Sequence, residues 1–162
     1  MLAVSNTSPI SNLAIIGRLE FLRRRYAVVH IPQAVKEELA ALTHPLGSER
    51  IQAAIAERWL VVETLRDSNP QELPYPLDRG EAEAIFLACQ LNADVLLMDE
   101  KRGREAARRR KLVVAGVLGE LVHAKAAGWI PNVADEVRRL RLEAGFFVDA
   151  SVERFILSQV GE

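Results

Sequence analysis

In the stretch MLAVSNTSPISNL (residues 1–13), an apolar segment runs directly into a cluster of small polar residues. Leu2–Val4 predicts a short buried strand. Asn6, Thr7 and Ser8 then supply turn formers and a helix cap, before a proline suited to a first helical turn. Because ligands of open α/β sheets bind at the carboxyl ends of the strands, these polar residues are expected at the functional edge. A helix cap alone would also explain them.

The composition predicts one globular domain over residues 1–162. A chain of this length with 49% hydrophobic residues can bury one core but not two comfortable ones. The net charge of -1 excludes a generally basic surface, so binding of a polyanion would need a local patch. The single cysteine, Cys89, can form no internal disulfide and favours a reducing compartment. With no apolar run of membrane length and no signal-peptide pattern, the sequence predicts a cytoplasmic protein.

Apolar runs and helical periodicities alternate along the chain. The apolar runs predict five strands, at Leu2–Val4, Ala27–Ile31, Trp59–Thr64, Asp94–Met98 and Leu112–Ala115. The periodic segments predict helices at Ile10–Ile16, Arg18–Tyr26, Pro32–Leu42, Ser48–Arg58, Arg79–Asn92, Lys101–Lys111, Gly116–Gly128, Asn132–Ala144 and Asp149–Gln159. Thr43–Gly47 is predicted as a loop and Asp67–Leu77 as a surface connection. This alternation indicates the α/β class, with βαβ units and a parallel sheet covered by helices.

Helical spacing also predicts which side chains face the core. In the helix Pro32–Leu42, at about 100° per residue, Glu38 falls at the edge of the apolar stripe and Glu37 points nearly the opposite way. Glu38 is therefore the carboxylate expected to reach the interior. In the last helix the residues expected to face inward are Val152, Phe155 and Ile156.

Acidic or amide side chains fall at positions that a parallel sheet would bring to one edge. They are Asn6, Glu38, the pair Glu81 and Glu83, and Asp99. Clustered carboxylates repel one another unless a hard divalent cation such as Mg²⁺ or Mn²⁺ neutralises them. Such a site can activate water and support an in-line displacement at phosphorus. Each acid also has a structural explanation alone, since Asp78 and Glu81 are spaced as a capping box, but together they favour the functional interpretation.

A strongly basic segment, KRGREAARRRK at Lys101–Lys111, directly follows Asp99 and contains seven basic residues. It is either a solvated helix face or a surface that binds a nucleic-acid backbone beside the acids. In the second case the candidate substrate-binding residues are Lys101, Arg102 and Arg104.

Four segments, VSNTSPISNLA, IPQAVKEEL, GEAEAIFLA and ADVLLMDEKRGR, occur in this order over nearly the whole chain. Together they resemble the PIN-domain nucleases, and specifically a bacterial PIN-like group. The resemblance implies a three-layer sandwich with a central, mostly parallel five-stranded sheet. It also implies cleavage of RNA that depends on Mg²⁺ or Mn²⁺. Many relatives are VapC-type toxins that form homodimers and are held inactive by a small protein antitoxin, so the resemblance implies those partners as well.

The resemblance assigns roles to individual residues. The acids of the family fall at Asn6, Glu38, Glu83 with Glu81 as the alternative, and Asp99 with Glu100 nearby, and Thr7 and Ser8 would orient the substrate. An amide at position 6 replaces the usual aspartate, so the site loses one negative charge and some affinity for a cation. A working nuclease with weaker metal binding, a nuclease relying on the other acids, and an inactive relative that only binds all remain open.

A phosphotransfer enzyme of the dehalogenase or receiver type is a further alternative, less favoured by the sequence. Its nucleophilic aspartate should follow a strand. Here the first strand leads to Asn6, and no Asp-x-Asp follows it.

Overall fold

A computed structural model describes residues 1–162 and contains one five-stranded sheet. The strands are β1 (Ala3–Ser5), β2 (Val29–Pro32), β3 (Leu60–Glu63), β4 (Val95–Leu97) and β5 (Val114–Ala115). Their order is β3-β2-β1-β4-β5, and every neighbouring pair is parallel. The predicted α/β class and the central parallel sheet are confirmed.

Nine α-helices connect and cover the strands. They are α1 (Thr7–Ile15), α2 (Glu20–Tyr26), α3 (Gln33–Ala40), α4 (Pro45–Ala56), α5 (Arg79–Gln90), α6 (Lys101–Arg109), α7 (Val117–Ala126), α8 (Val133–Ala144) and α9 (Ala150–Gln159). The connection predicted between β3 and α5 contains one 3-10 turn, Pro70–Glu72. None of these helices combines the length and the apolar character needed to cross a membrane.

The two faces of the sheet bury two separate apolar clusters. Successive strand residues point to opposite faces, so Ala3 joins one cluster and Val4 the other. The larger cluster contains 27 buried residues, whereas the smaller one contains 12 and lies under α5 and α6. Helices therefore cover both faces, as in the expected three-layer arrangement.

Two helices, α1 and α4, begin about one turn earlier than the sequence predicts. α1 begins at Thr7 rather than at residue 10, because the proline after Ser8 fits a first helical turn. The predicted loop Thr43–Gly47 is wrong, since α4 already begins at Pro45. The cause is a cap: His44 Nδ1 accepts a hydrogen bond of 2.9 Å from the backbone N–H of residue 47.

The apolar face of α9 is also only partly buried. Ile156 packs against the larger core, but Val152 and Phe155 are 44% and 61% exposed, so the prediction that both face inward is wrong. α9 lies at the margin of a core already covered by α7 and α8, and it contacts that core through a narrower stripe. Of these two outward side chains, Val152 borders a surface groove.

The strand order changes direction between β1 and β4. The chain builds β1, β2 and β3 outward on one side and then returns to place β4 on the other side of β1. Such a reversal opens a crevice beyond the carboxyl ends of the two strands. Because Ser5 pairs with Leu97, the residues that follow β1 and β4 enter this crevice side by side.

Candidate functional site

Asn6 lies at the centre of the crevice, directly after β1. Its backbone N–H donates a hydrogen bond of 2.9 Å to the carbonyl of Leu97, and the residue is 3% exposed. The side-chain Nδ2 donates to Glu100 Oε2 at 3.1 Å, across 94 residues of sequence. The other amide atom, Oδ1, is buried and has no hydrogen-bond partner. A buried amide oxygen without a partner is uncommon in folded proteins and marks this position as a candidate ligand site.

Asp99 follows β4 and is held through both carboxylate oxygens. Oδ1 accepts a hydrogen bond of 2.8 Å from the backbone N–H of Val117, in the first turn of α7, and Oδ2 accepts one of 3.2 Å from the Ser8 hydroxyl. Burial raises the pKa of Asp99 to about 6, and the nearby Glu100 charge acts in the same direction. The Val117 N–H, the Ser8 hydroxyl and the Arg104 charge oppose this rise, so the carboxylate is oriented but incompletely neutralised.

Glu81 occupies the first turn of α5 and is 7% exposed. It forms the predicted capping box: its N–H donates to Asp78 Oδ1 at 2.8 Å, and its Oε2 accepts from the Asp78 N–H at 3.1 Å. Oε1 lies toward α6, 3.4 Å from where a Cβ would stand at Gly103. The pKa of Glu81 is raised to about 7, mainly by burial. The charges of Asp78 and Glu100 act in the same direction, and the hydrogen bond from the Asp78 backbone opposes them. The capping role and a position among the acids therefore belong to the same side chain.

Glu38 lies at the rim of the group rather than in the interior, and its side chain is exposed. It accepts a hydrogen bond from the Thr7 hydroxyl and packs against Gly80 in the first turn of α5. A Cβ at position 80 would stand only 2.9 Å from the Glu38 Cδ, so the glycine there leaves room for this position of the Glu38 carboxylate. The positive end of the α5 dipole favours a carboxylate at this place.

Glu83 is separated from the other candidates. It lies about 200° around α5 from Glu81 and forms no hydrogen bond to any of them. Its Oε2 is 3.0 Å from Arg79 Nε in an ion pair without an aligned hydrogen bond, and Arg79 also binds Glu37 at 2.7 Å. The sequence analysis preferred Glu83 to Glu81 as the third acid. In the structure Glu83 faces Arg79 instead of the other candidates.

A groove of about 790 Å³ borders Asp99, and we call it the cationic groove. One side carries charged residues of α6 and the other carries apolar residues before and within α9. The lining includes Lys101, Arg104 and Arg108 on the first side and Phe146, Phe147, Val152 and Ile156 on the second. Lys101 and Arg108 form no ion pair, although the acids Glu105 and Asp149 also line the groove. The Phe147 side chain is 84% exposed. Basic side chains outside ion pairs and an exposed ring are features that bind single-stranded nucleic acid.

Two of the three basic residues predicted to bind substrate line the cationic groove, and the third does not. Lys101 and Arg104 line the groove, and Arg104 Nη1 also donates to the Met98 carbonyl at 2.9 Å. Arg102 does not line it, since its guanidinium lies 5.6 Å from the centre of the Tyr75 ring. Sequence reasoning missed Arg108, although its spacing of four residues from Arg104 and seven from Lys101 places all three on one helix face.

A family model described as a PIN domain matches residues 2–162. The chain belongs to the PIN-domain family. Among solved structures, the chain is similar to a PilT N-terminus domain protein from the hyperthermophilic archaeon Sulfolobus solfataricus, with a TM-score of 0.55 and 19% sequence identity. The match covers 76% of this chain and 93% of the archaeal one, and at this identity it shows the fold alone. No protein with curated annotation matches the sequence closely enough to inform its activity.

The family implies a divalent cation. The ligand atoms at the crevice are of the right chemical type for such an ion, but they do not form a complete set of ligands. No three Asp, Glu, His or Cys side chains stand close enough together to hold a metal ion by themselves. The donors at the crevice are nevertheless all oxygen atoms, which suits Mg²⁺ and Mn²⁺. The buried Asn6 Oδ1 adds a neutral oxygen that no protein group satisfies.

The raised pKa values predict how the stability of this metal-free PIN domain depends on pH. Between about pH 4 and pH 7 the folded protein holds protons on Asp99 and Glu81 that the unfolded chain releases, so the free energy of unfolding falls as the pH rises. In Glu81→Gln the amide oxygen can still accept from the Asp78 N–H, while the buried charge is removed. We expect thermal unfolding in EDTA to show a smaller loss of Tm between pH 5 and pH 8 for this variant.

The matched control is Glu83→Gln, which removes a carboxylate from the same helix but outside the group. It should retain the full loss of Tm. Equal pH dependence of the wild-type protein and Glu81→Gln would contradict the assignment of a buried, destabilised charge to Glu81.

Proposed function

We propose that this PIN domain is an endoribonuclease that requires Mg²⁺ or Mn²⁺. The observation that carries the proposal is that Asn6, Asp99 and Glu81 all interact with Glu100 at the crevice between β1 and β4, Asn6 through a hydrogen bond and the two carboxylates through charge. Asp99 also lines the cationic groove. Asn6 leaves a buried oxygen unpaired, and both carboxylates carry pKa values raised by burial. Perturbed acids in a cleft are typical of functional sites. Glu38, at the rim, completes the group of oxygen donors.

The residues of the crevice would bind the cation and orient the substrate. Asn6 Oδ1, Asp99 and Glu81 would hold the cation, which when bound activates water and stabilises negative charge on the phosphoryl oxygens. The Val117 N–H and the Ser8 hydroxyl fix the rotamer of Asp99. The Asp78 N–H leaves Oε1 of Glu81 as the oxygen turned toward the crevice. Thr7 holds Glu38 in the same way at the outer side.

The cationic groove offers a path for the RNA strand. Lys101, Arg104 and Arg108 can contact successive phosphates, and the exposed ring of Phe147 on the opposite side can stack on a base. Because Asp99 also lines the groove, a strand lying in it would pass the acidic group. This arrangement favours unpaired RNA, whose bases are free to stack.

Cleavage of a structured RNA with single-stranded loops, with Mg²⁺ or Mn²⁺ and with EDTA as the blank, tests the catalytic proposal. Asp99→Asn can keep both of its hydrogen-bonded contacts but loses the charge, so we expect the rate to fall on the order of 100-fold or more. Glu81→Gln should also lower the rate strongly, and Glu83→Gln should leave it near that of the wild-type protein. Undiminished cutting by Asp99→Asn would refute the assignment.

RNA binding in the presence of EDTA tests the groove separately from the chemistry. Arg108→Ala removes one phosphate contact, and we expect weaker binding together with a decrease of about one in the slope of log Kd against log salt. Arg109→Ala removes the same charge from the next residue, which does not line the groove, and should leave the slope unchanged. Identical slopes for the two variants would contradict the proposed path.

The same proposal extends to the cellular role. We propose a cytoplasmic toxin whose single domain, residues 1–162, forms a homodimer and is inhibited by a small protein antitoxin. The family resemblance supports this role. Induced expression of the wild-type protein should arrest growth and degrade RNA, whereas Asp99→Asn should do neither. Growth that is equally normal with both proteins, each shown to be folded and free of a bound inhibitor, would contradict a toxin.

A second candidate function is a PIN-like binding module that cuts nothing. Asn6 favours it, because the amide supplies a ligand oxygen without the charge that helps to hold a cation. Binding of RNA without cleavage in either metal would select this function over the nuclease.

A further inference from the structure

Asn6 stands where an asparagine ordinarily caps a helix, yet it does not cap α1. Its backbone has the extended conformation of a cap residue, but its side chain accepts no hydrogen bond from the first turn. The side chain instead reaches across the crevice and donates to Glu100, which lies beyond β4. The Asn6 side chain therefore does not cap the helix, and its orientation is determined by a tertiary contact instead.

The contact with Glu100 permits only one orientation of the amide. An ionised carboxylate accepts hydrogen bonds and cannot donate them. The Asn6 NH₂ group must therefore face Glu100, and Oδ1 must face the opposite way. A flipped amide would place two oxygen atoms about 3 Å apart with no proton between them. Glu100 consequently determines that an oxygen, and not an NH₂ group, is the atom left unpaired.

The unpaired oxygen is itself an indication of a ligand. Asn6 is 97% buried and Oδ1 has no partner in the protein. Leaving such an acceptor unsatisfied is destabilising, so its presence calls for a bound ion, water or ligand as partner. An oxygen donor near Asp99 and Glu81 suits a hard divalent cation. The acidic group therefore has a second, independent sign of a cation site.

Position 6 and position 100 also constrain each other through charge. An aspartate in place of Asn6 would set its carboxylate about 3 Å from that of Glu100, and the two like-charged groups would repel each other. An amide at position 6 avoids this conflict and converts Glu100 from a competitor into a hydrogen-bond acceptor.

We propose that Glu100 is a positioning residue that fixes Asn6 Oδ1 toward the cation site, and that the pair supplies the oxygen and the negative charge that one aspartate would supply at position 6. This inference rests on the proposed function. It makes the amide at position 6 a working ligand, and it predicts that each residue of the pair is suited only to its natural partner.

Binding of Mn²⁺ alone, followed by electron paramagnetic resonance at pH 7, tests the inference without any need for activity. Four proteins form the cycle: the wild-type protein, Asn6→Asp, Glu100→Gln, and the double variant. Glu143→Gln, which removes an exposed acid on α8, is the control for net charge. Circular dichroism melts establish that each protein is folded.

We expect Glu100→Gln to change the affinity for Mn²⁺ in opposite directions in the two backgrounds. In the natural background Glu100→Gln frees the amide to flip, and we expect the affinity for Mn²⁺ to fall about tenfold or more, as for other groups that orient ligands. In the Asn6→Asp background the same change removes a competing carboxylate and allows the glutamine amide to donate to Asp. There the affinity should rise. A role limited to net charge or folding would lower the affinity in both backgrounds.

The outcomes separate the inference from the proposed function. Mn²⁺ binding in which Glu100→Gln lowers the affinity in both backgrounds, or in neither, overturns the pairing while leaving the nuclease proposal standing. A wild-type protein that binds no Mn²⁺ overturns both. Reversed effects in a protein that binds Mn²⁺ but cleaves no RNA support the pairing and overturn the nuclease.

Discussion

The parallel pairing of β1 with β4 is the constraint on which the crevice depends. β1 is the central strand of the sheet and hydrogen bonds to β2 on one side and to β4 on the other. The pairing of Ser5 with Leu97 brings Asn6 against Glu100, although 94 residues separate them. Around this junction the helices approach closely. A Cβ at Gly116 would stand 2.6 Å from Asp99 Oδ1, so the glycine leaves room for this carboxylate to accept the first N–H of α7.

The arrangement concentrates negative charge at one end of the sheet. The charge of Glu100 acts on both Glu81 and Asp99, and burial adds to the cost of ionising these two. Backbone N–H groups, the Ser8 hydroxyl and the Arg104 guanidinium offset part of this cost. Because the offset is incomplete, the oxygen donors form a destabilised group, which is the usual condition of a site that binds a cation.

Local patterns in the sequence were sufficient to predict the helices and strands, but not the directions in which several side chains point. The alternation of strands and helices, and the junction at Asn6, follow from the spacing of apolar and turn-forming residues. The choice between Glu81 and Glu83 does not, because both lie in the first turns of the same apolar helix, α5, and their assignment depends on which neighbouring elements each side chain faces. Arg102 faces Tyr75 for the same reason. The outward side of α9 escaped prediction because apolar spacing identifies a stripe but not whether a core lies beneath it.

The α/β class, the parallel sheet, the capping box at Asp78 and the acids that follow the strands were all readable in the sequence, because the alternation of strands and helices and the spacing of capping residues are local patterns. The tertiary structure alone decided which acids meet, that Glu38 stays at the rim, and that Asn6 turns its oxygen away from Glu100. Those outcomes depend on contacts between residues far apart in the chain, and such contacts leave no local pattern. Only the strand order and the packing angles of the helices determine them.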